Sequence, residues 1–164
     1  MILVTVGTHE QPFNRLVQYM DKWAKENDEE VLIQLGYTTY LPSNCKYEKL
    51  FPYSKMIENV NKARIVITHG GPSSFIMPLQ VGKIPIVVPR KKEYEEHVND
   101  HQVDFCKQVG ERQGNIIVID DIEELGKTIH DYDAIISTMK SSINSNNARF
   151  CKDFERIIEG LKIR

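Results

Sequence analysis

Short runs of β-branched and other apolar residues alternate along this chain with longer segments in which apolar residues recur at helical spacing. Few folds accommodate such a rhythm, and the commonest is a series of βα units wound around a parallel sheet. Several of the short runs are apolar throughout, as expected for strands with helices on both faces. We therefore predict strands at residues 2–6, 31–35, 64–68, 84–88 and 115–119, with a weaker one at 47–51.

The segments between these runs predict the helices. In the first of them, Phe13, Leu16, Met20 and Trp23 follow one another at close to helical spacing. The chain has no internal repeat, no linker-like segment and no long block of charge. We therefore expect a single α/β domain over residues 1–164, built as a Rossmann-like parallel sheet with helices on both faces. The predicted helices are residues 12–26, 55–63, 73–81, 98–109 and 122–130, followed by a helical segment at 132–161 that the polar run 141–147 interrupts.

The composition excludes several classes of function. With 164 residues and a formal net charge of -2, the chain has no basic field to attract nucleic acid. Its three cysteines, Cys45, Cys106 and Cys151, are widely spaced and form no C-x-x-C pair, which predicts a reduced, cytosolic compartment. No apolar run approaches the roughly 18 to 20 residues of a membrane helix. Any membrane association is therefore expected to be peripheral or through a partner.

The loop after the predicted strand 64–68 has the most unusual composition of the chain. Ligands of an open parallel sheet bind beyond the carboxyl ends of the strands, where loops meet the following helices. Here two glycines let a ligand approach the backbone, Pro72 suits the first helical position, and the helix start favours a phosphate. The alternative is an ordinary turn capped by serine. The candidate ligand-binding residues of this loop are His69, Gly70, Gly71, Ser73 and Ser74.

A second candidate loop follows the first strand and contains Gly7, Thr8 and His9. A dinucleotide-binding fold would carry G-x-G-x-x-G at this place. Since only Gly7 is present, the sequence disfavours NAD and FAD as cofactors. A glycine beside a hydroxyl and an imidazole can contact a diphosphate, whereas the alternative is that Thr8 simply caps the helix beginning near Pro12.

The third candidate loop follows the strand at 84–88 and is rich in charged and polar residues. Arg90 and its neighbours Lys91 and Lys92 can offset phosphate charge, although charge-rich loops are also commonly plain solvated surface. His97 and His101 have the i, i+4 spacing of helical metal ligands, but no acidic third ligand is obvious, and we predict no metal site. The side chains that offer the donors and acceptors required by sugar hydroxyls are His97, Asn99, Asp100, His101 and Gln102.

The three loops and their flanking strands resemble the C-terminal domain of family 28 glycosyltransferases, which have the GT-B fold. The segments that carry the resemblance are VTVGTHEQPF from Val4, THGGPSS from Thr68, GKIPIVVPR from Gly82 and EHVNDHQ from Glu96. They span most of the chain in the expected order. The chain is similar in particular to the stand-alone bacterial version found among capsule and exopolysaccharide enzymes.

This resemblance implies a function and a set of partners. It implies that the chain is the UDP-sugar-binding subunit of a hexosyltransferase, similar to the catalytic subunit of the split N-acetylglucosaminyltransferase of dolichol-linked oligosaccharide assembly. A membrane-anchored subunit would supply the N-terminal half, and the acceptor would be a lipid-linked saccharide. The chain would then lie at the cytoplasmic face of the membrane, act without a bound metal or other cofactor, and transfer galactose or N-acetylglucosamine.

The resemblance also implies roles for particular residues. Gly7 and Thr8 belong to the donor-facing turn, and the glycine and serine residues after strand 64–68 face the diphosphate and the nucleoside. The segment 99–102 faces the donor sugar, and Gln102 is the leading candidate for contacts with sugar hydroxyls. Many relatives bind the ribose through a carboxylate at a position that here holds Met77, so ribose recognition by that route is in doubt.

The identity of the catalytic base is left open by the sequence. In two-domain relatives the base comes from the N-terminal half, and His9 is the one candidate within this chain. Two other functions remain open. One is a non-catalytic nucleotide-binding subunit that activates a partner glycosyltransferase, which Met77 leaves possible. The other is half of a sugar-nucleotide epimerase, for which the sequence offers no additional acid-base pair.

Overall fold

A single parallel sheet forms the centre of the computed structural model, which describes residues 1–139 and 147–162. The strand order is β3-β2-β1-β4-β5-β6, and every neighbouring pair is parallel. The chain builds outward from β1 to β3 and then crosses back to continue from the other side of β1. The strands are β1 Ile2–Thr5, β2 Val31–Gln34, β3 Lys46–Glu48, β4 Ile65–His69, β5 Ile86–Val88 and β6 Ile117–Val118.

Helices cover both faces of the sheet and form every connection between consecutive strands except the one from β2 to β3. The helices are α1 Asn14–Glu26, α2 Tyr53–Lys62, α3 Pro72–Gln80, α4 His101–Gln113, α5 Leu125–His130, α6 Tyr132–Thr138 and α7 Asn147–Lys162, with short 3₁₀ turns at Lys92–Tyr94 and Ile122–Glu124. Among residues 1–139 and 147–162, no helix is both long and apolar enough to span a bilayer.

The alternation of side chains along β1 shows how the two faces are filled. Ile2 and Val4 point to one face, where they pack with apolar residues of α1, α5 and α6. Leu3 points to the other face and packs against Met56 and Val60 of α2. Because helices cover both faces, β1 is apolar on both sides, and all four of its residues are buried.

The predicted α/β fold is confirmed, and most of the predicted elements lie within a few residues of their observed bounds. The main difference is α4, which begins at His101 and not at Val98. Asp100 explains the shift, because its carboxylate accepts a hydrogen bond at 2.8 Å from the backbone N–H of Lys92 and so holds residues 97–100 in a turn. The predicted interruption at 141–147 lies, up to residue 146, outside the described residues, and α7 begins at Asn147.

Candidate functional site

A cavity of about 520 Å³ opens at the carboxyl ends of β1 and β4. These two strands flank the point where the strand order reverses, and in open α/β sheets such a point leaves a crevice between loops that run to opposite sides. The cavity therefore lies where the fold itself provides room for a ligand. It is lined by Thr5, Gly7, Thr8, His9, Gln34, Met56, Val60, Val66, His69, Ser73, Ser74, Met77 and Gln102.

Residues from all three candidate loops meet in this cavity. The turn after β1 contributes Gly7, Thr8 and His9, and the loop after β4 contributes His69 together with two serines of α3. The third loop contributes Gln102, which lies in the first turn of α4. The remaining predicted residues, Gly70, Gly71, Arg90, His97, Asn99 and Asp100, are not part of the lining.

The glycine turn after β4 leads directly into α3. Gly71 is the N-cap residue, Pro72 lies at the start of the helix as predicted, and among the described residues no side chain caps this end. The alternative of a serine-capped turn is therefore wrong. Ser73 is exposed and Ser74 is half-buried, and both face the cavity. An uncapped helix start with two hydroxyl groups is a favourable environment for an anion.

The turn after β1 is formed by Gly7, whose φ of 77° lies in the left-handed region. Its N–H donates to Oγ1 of Thr5 at 3.4 Å. Thr8 and His9 are exposed. Because α1 begins at Asn14 with Phe13 as its N-cap, Thr8 does not cap that helix, and this alternative is also wrong.

Gln102 is buried at 6% exposure and connects the third loop to the cavity. Its Oε1 accepts a hydrogen bond at 3.2 Å from the backbone N–H of Arg90. An amide that uses its oxygen in this way has its NH₂ group left to donate. Gln102 therefore has the chemistry to donate to a ligand oxygen, as a contact with a sugar hydroxyl requires.

Arg90 is fully buried and does not face the cavity, which corrects the prediction that it contacts phosphate. Its guanidinium donates to the carbonyl oxygens of Val6 at 2.9 Å, Gln11 at 2.8 Å and Glu96 at 3.0 Å. It also lies 4.8 Å from the centre of the Phe13 ring. Burial lowers the pKa of Arg90 to about 10, so the group stays charged at neutral pH. Arg90 thus joins the turn after β1 to the loop after β5.

Three histidine rings lie in a row beside the cavity. The ring of His97 is 4.7 Å from that of His9 and 4.5 Å from that of His101, measured between centroids. Burial lowers the pKa of His97, and the neighbouring His101 and His9 add to this effect. His97 lies in the bend before α4, which begins at His101, so the two histidines do not share a helix at i, i+4 spacing. In residues 1–139 and 147–162, no group of three or more histidine, cysteine or acidic side chains is arranged to hold a metal ion.

Asn99 and Asp100 are exposed, and their side chains accept hydrogen bonds from backbone N–H groups of nearby residues. The side-chain oxygen of Asn99 accepts from the backbone N–H of His101 at 3.3 Å, and Asp100 accepts from Lys92 as described above. They shape the segment that leads into Gln102. Their contact with a donor sugar stays a prediction.

His69 is the most strongly perturbed titratable group of the cavity wall. It is 8% exposed, and burial lowers its pKa to about 4, with the positive charge of Arg90 contributing. The imidazole is therefore neutral at physiological pH. Cys106, which donates to the carbonyl of Gly70 at 3.6 Å, is also buried, and burial raises the pKa of its thiol to about 11.

Sequence reasoning missed five residues of the lining. Thr5 and Gln34 are polar residues at the last positions of otherwise apolar strands, and this placement could have indicated them. Their side chains are joined by a 3.3 Å hydrogen bond from Nε2 of Gln34 to Oγ1 of Thr5. Met56, Val60 and Val66 carry no such signal, because apolar residues of a helix or strand are expected in the core.

Comparison with known proteins identifies the family. The sequence model of the glycosyltransferase family 28 C-terminal domain matches residues 1–158. The chain belongs to this family. Among curated proteins, none matches this family 28 domain.

Two solved structures resemble the family 28 domain in fold. The glycosyltransferase of kitacinnamycin is 20% identical with a TM-score of 0.59, and the match covers 79% of this chain and 34% of that chain. The calicheamicin glycosyltransferase CalG4 is 14% identical with a TM-score of 0.61, and the match covers 98% of this chain and 43% of that chain. These are GT-B glycosyltransferases. The family 28 domain thus spans less than half the length of either.

Proposed function

We propose that this domain holds the nucleotide-sugar donor of a UDP-sugar-dependent glycosyltransferase, with the donor in the 520 Å³ cavity at the ends of β1 and β4. The observation that carries the proposal is the convergence of the Gly7 turn, His69 and two serines of α3 in that cavity, within a domain of glycosyltransferase family 28. The wall combines backbone, hydroxyl and amide groups with an apolar side from α2 and β4. Such a wall suits a ligand with a charged diphosphate and a flat base.

The diphosphate in this proposal lies between the turn at Gly7 and Thr8 and the start of α3. Ser73 and Ser74 donate to its oxygens, and the partial positive charge at the N-terminus of α3 faces it. Gln102 donates to a hydroxyl of the sugar. Gly70 and Gly71 supply close-approaching backbone, and His97, Asn99 and Asp100 complete the sugar end as predicted.

The chemistry of the proposal is an inverting displacement. An acceptor hydroxyl attacks the anomeric carbon, the bond from that carbon to the diphosphate oxygen breaks, and UDP leaves. Negative charge grows on the departing diphosphate, and donors already aimed at it stabilise the transition state. In this scheme the hydroxyls of α3 and the helix N-terminus supply the stabilisation, and no metal is needed.

The acceptor half of the enzyme is proposed to be a membrane-anchored subunit that supplies the N-terminal GT-B half. The support is that the domain covers 34% and 43% of the two GT-B neighbours, whose remaining parts have no counterpart in these residues. We propose a lipid-linked saccharide as acceptor, a place at the cytoplasmic face of the membrane, and a role in capsule or exopolysaccharide synthesis. Galactose and N-acetylglucosamine are the two sugars proposed for transfer.

Binding of UDP is the direct test. At a concentration of about 100 times its dissociation constant, a ligand of the native state adds about 2.7 kcal/mol to the free energy of unfolding. We expect UDP, UDP-galactose and UDP-N-acetylglucosamine to raise the melting temperature by several degrees and GDP to raise it less. Differential scanning fluorimetry measures these melting temperatures, first for the domain alone and then for the domain with its co-expressed partner. The donor-site proposal fails if no uridine nucleotide shifts the transition in either sample.

Two substitutions of Ser73, by the isosteric residues aspartate and asparagine, provide the matched control for this test. Ser73 is exposed, so neither substitution is expected to disturb the core. Ser73→Asp places a carboxylate at the start of α3 and should abolish the UDP-induced shift by charge repulsion. Ser73→Asn has the same shape without the charge and should retain a reduced shift. Equal shifts in the two variants would place the diphosphate elsewhere.

Met77 supports a second candidate function, that of an accessory subunit whose partner holds the donor. Its side chain lines the cavity where many relatives have a ribose-binding carboxylate. Titration of UDP into the separate and the assembled subunits distinguishes the two functions. Binding by the partner alone would favour the accessory role, whereas binding by this domain favours the donor role.

His9 is the only residue of the described cavity wall that we propose as a base within this domain. It is exposed, and its Nδ1 accepts from the backbone N–H of Gln11 at 3.2 Å. In the neutral ring the proton then lies on Nε2, so Nδ1 is the basic nitrogen and would exchange this hydrogen bond for the substrate proton. His9→Ala should leave UDP affinity unchanged in calorimetry and lower the turnover of the assembled enzyme by about 10²-fold or more. Unchanged turnover would assign the base to the partner subunit.

A further inference from the structure

The imidazole of His69 fills the space between the two glycine turns that border the cavity. A Cβ atom added to Gly7 would lie 2.7 Å from Nε2 of His69 and closer still to Cε1. A Cβ atom added to Gly71 would lie 3.1 Å from Cδ2 of the same ring and closer still to Nε2. The ring therefore touches backbone on both sides, and neither turn can move toward the other.

Gly71 shows that the ring itself is the obstacle to a side chain. Its φ of -78° and ψ of 128° are extended backbone that alanine adopts without strain. The contact with His69 is the steric obstacle to a methyl group at this position, and it adds to the ordinary cost of alanine at an N-cap. Gly7 differs, because its φ of 77° disfavours alanine whatever the ring does.

We propose that His69 is a positioning residue, a neutral spacer that sets the width of the gap between the Gly7 turn and the Gly71 turn. This inference rests on the proposed function, since the two turns that the ring holds apart are the ones assigned to contact the donor diphosphate. A fixed gap keeps backbone and hydroxyl donors of both turns at hydrogen-bonding distance from the same ligand. Preorganisation of this kind raises affinity because the binding groups need no rearrangement.

The arrangement also argues against His69 as a charged phosphate ligand. The ring is 8% exposed and stacked between two segments of backbone. The positive charge of Arg90 acts on the ring, and so do His9 and His97. Together with burial, these groups outweigh the hydrogen bond to the backbone of Thr5, which favours a proton on His69.

A double-mutant cycle tests the spacer role. Gly71→Ala should weaken UDP binding on the order of tenfold, because the new methyl forces the ring and the turn apart. His69→Ala alone should weaken it several-fold by leaving the gap unsupported. In His69→Ala/Gly71→Ala the methyl occupies part of the vacated space, and the double variant should bind UDP more tightly than Gly71→Ala. Isothermal titration calorimetry gives the four affinities.

The opposite result overturns the inference. If His69 is a direct ligand of the phosphate, its loss adds to the loss from Gly71→Ala, and the double variant binds most weakly of all. Gly160→Ala is the matched control, since a Cβ there meets no atom within 4 Å. It should leave UDP affinity unchanged.

Thermal unfolding of the same variants separates this inference from the proposed function. Gly71→Ala should lower the melting temperature without ligand, and His69→Ala should relieve part of that loss. If wild-type protein binds no UDP, the proposed function fails, and the unliganded cycle still decides whether the ring spaces the turns. Additive losses of melting temperature would show that it does not.

Discussion

Replacing Arg90 by methionine is expected to lower the free energy of unfolding by about 3 to 5 kcal/mol. The guanidinium is fully buried and donates to carbonyl oxygens of three separate loop positions, Val6, Gln11 and Glu96. Methionine fills a similar volume but leaves these carbonyls without a donor. A loss of this size is a large share of the 5 to 15 kcal/mol that stabilises a typical domain.

Urea unfolding at neutral pH measures the effect. Arg112→Met is the control, because Arg112 is exposed on α4 and its loss should change stability by less than about 0.5 kcal/mol. Arg90→Lys keeps the charge but not the planar fork, and should lie between wild type and Arg90→Met. If Arg90→Met and Arg112→Met unfold at the same urea concentration, the buried guanidinium does not hold the loops together.

The second large effect is a loss of stability in mild acid that depends on His69. Burial lowers the pKa of His69 to about 4 in the folded state, against about 6.5 in an unfolded chain. Between these values the unfolded chain binds a proton that the native protein excludes. The contribution of His69 to the free energy of unfolding is therefore fully present above pH 6.5 and is lost as the pH falls toward 4. The difference in pKa corresponds to about 3 kcal/mol.

His69→Asn provides the comparison, because asparagine cannot take up a proton in this range. The free energy of unfolding of wild type should fall between pH 7.5 and pH 4.5 by about 2 to 3 kcal/mol more than that of the variant. His97, whose pKa is also lowered by burial, is present in both proteins and cancels in the difference. Parallel pH profiles for the two proteins would show that His69 is not held neutral by the fold.

The sheet could be predicted because most of its strands are short runs of largely apolar residues. Segments such as Ile2–Thr5 and Ile65–His69 are buried along their whole length, and nothing but a strand between two helical layers explains so short an apolar run. The turns at Gly7 and at Gly70 and Gly71 follow β1 and β4, as the predicted strands required. The start of α4 could not be read in the same way, since it depends on the contact between Asp100 and the distant backbone of Lys92.

The turns beside the cavity could be predicted from the sequence, whereas the burial of Arg90 and the contribution of α2 to the cavity wall could not. The charge of Arg90 predicts a phosphate contact from the sequence, but its guanidinium is buried and donates to four backbone carbonyl oxygens instead. Likewise Met56 and Val60 belong to an ordinary amphipathic helix until the sheet order sets α2 beside the cavity. Facts of this kind depend on contacts between distant parts of the chain.

The position of β1 at the middle of the sheet has a consequence for how the chain folds. Its register pairs Ile2 with Ile65, so β1 pairs with a strand that lies far later in the sequence of this domain. Parallel pairings between distant segments form slowly, because a long loop must be closed before the contact forms. The cavity cannot exist before this pairing, since its two turns leave from β1 and β4. We infer that ligand-binding capacity appears late in folding, and that the edge of β1 that pairs with β4 stays unpaired until β4 is available.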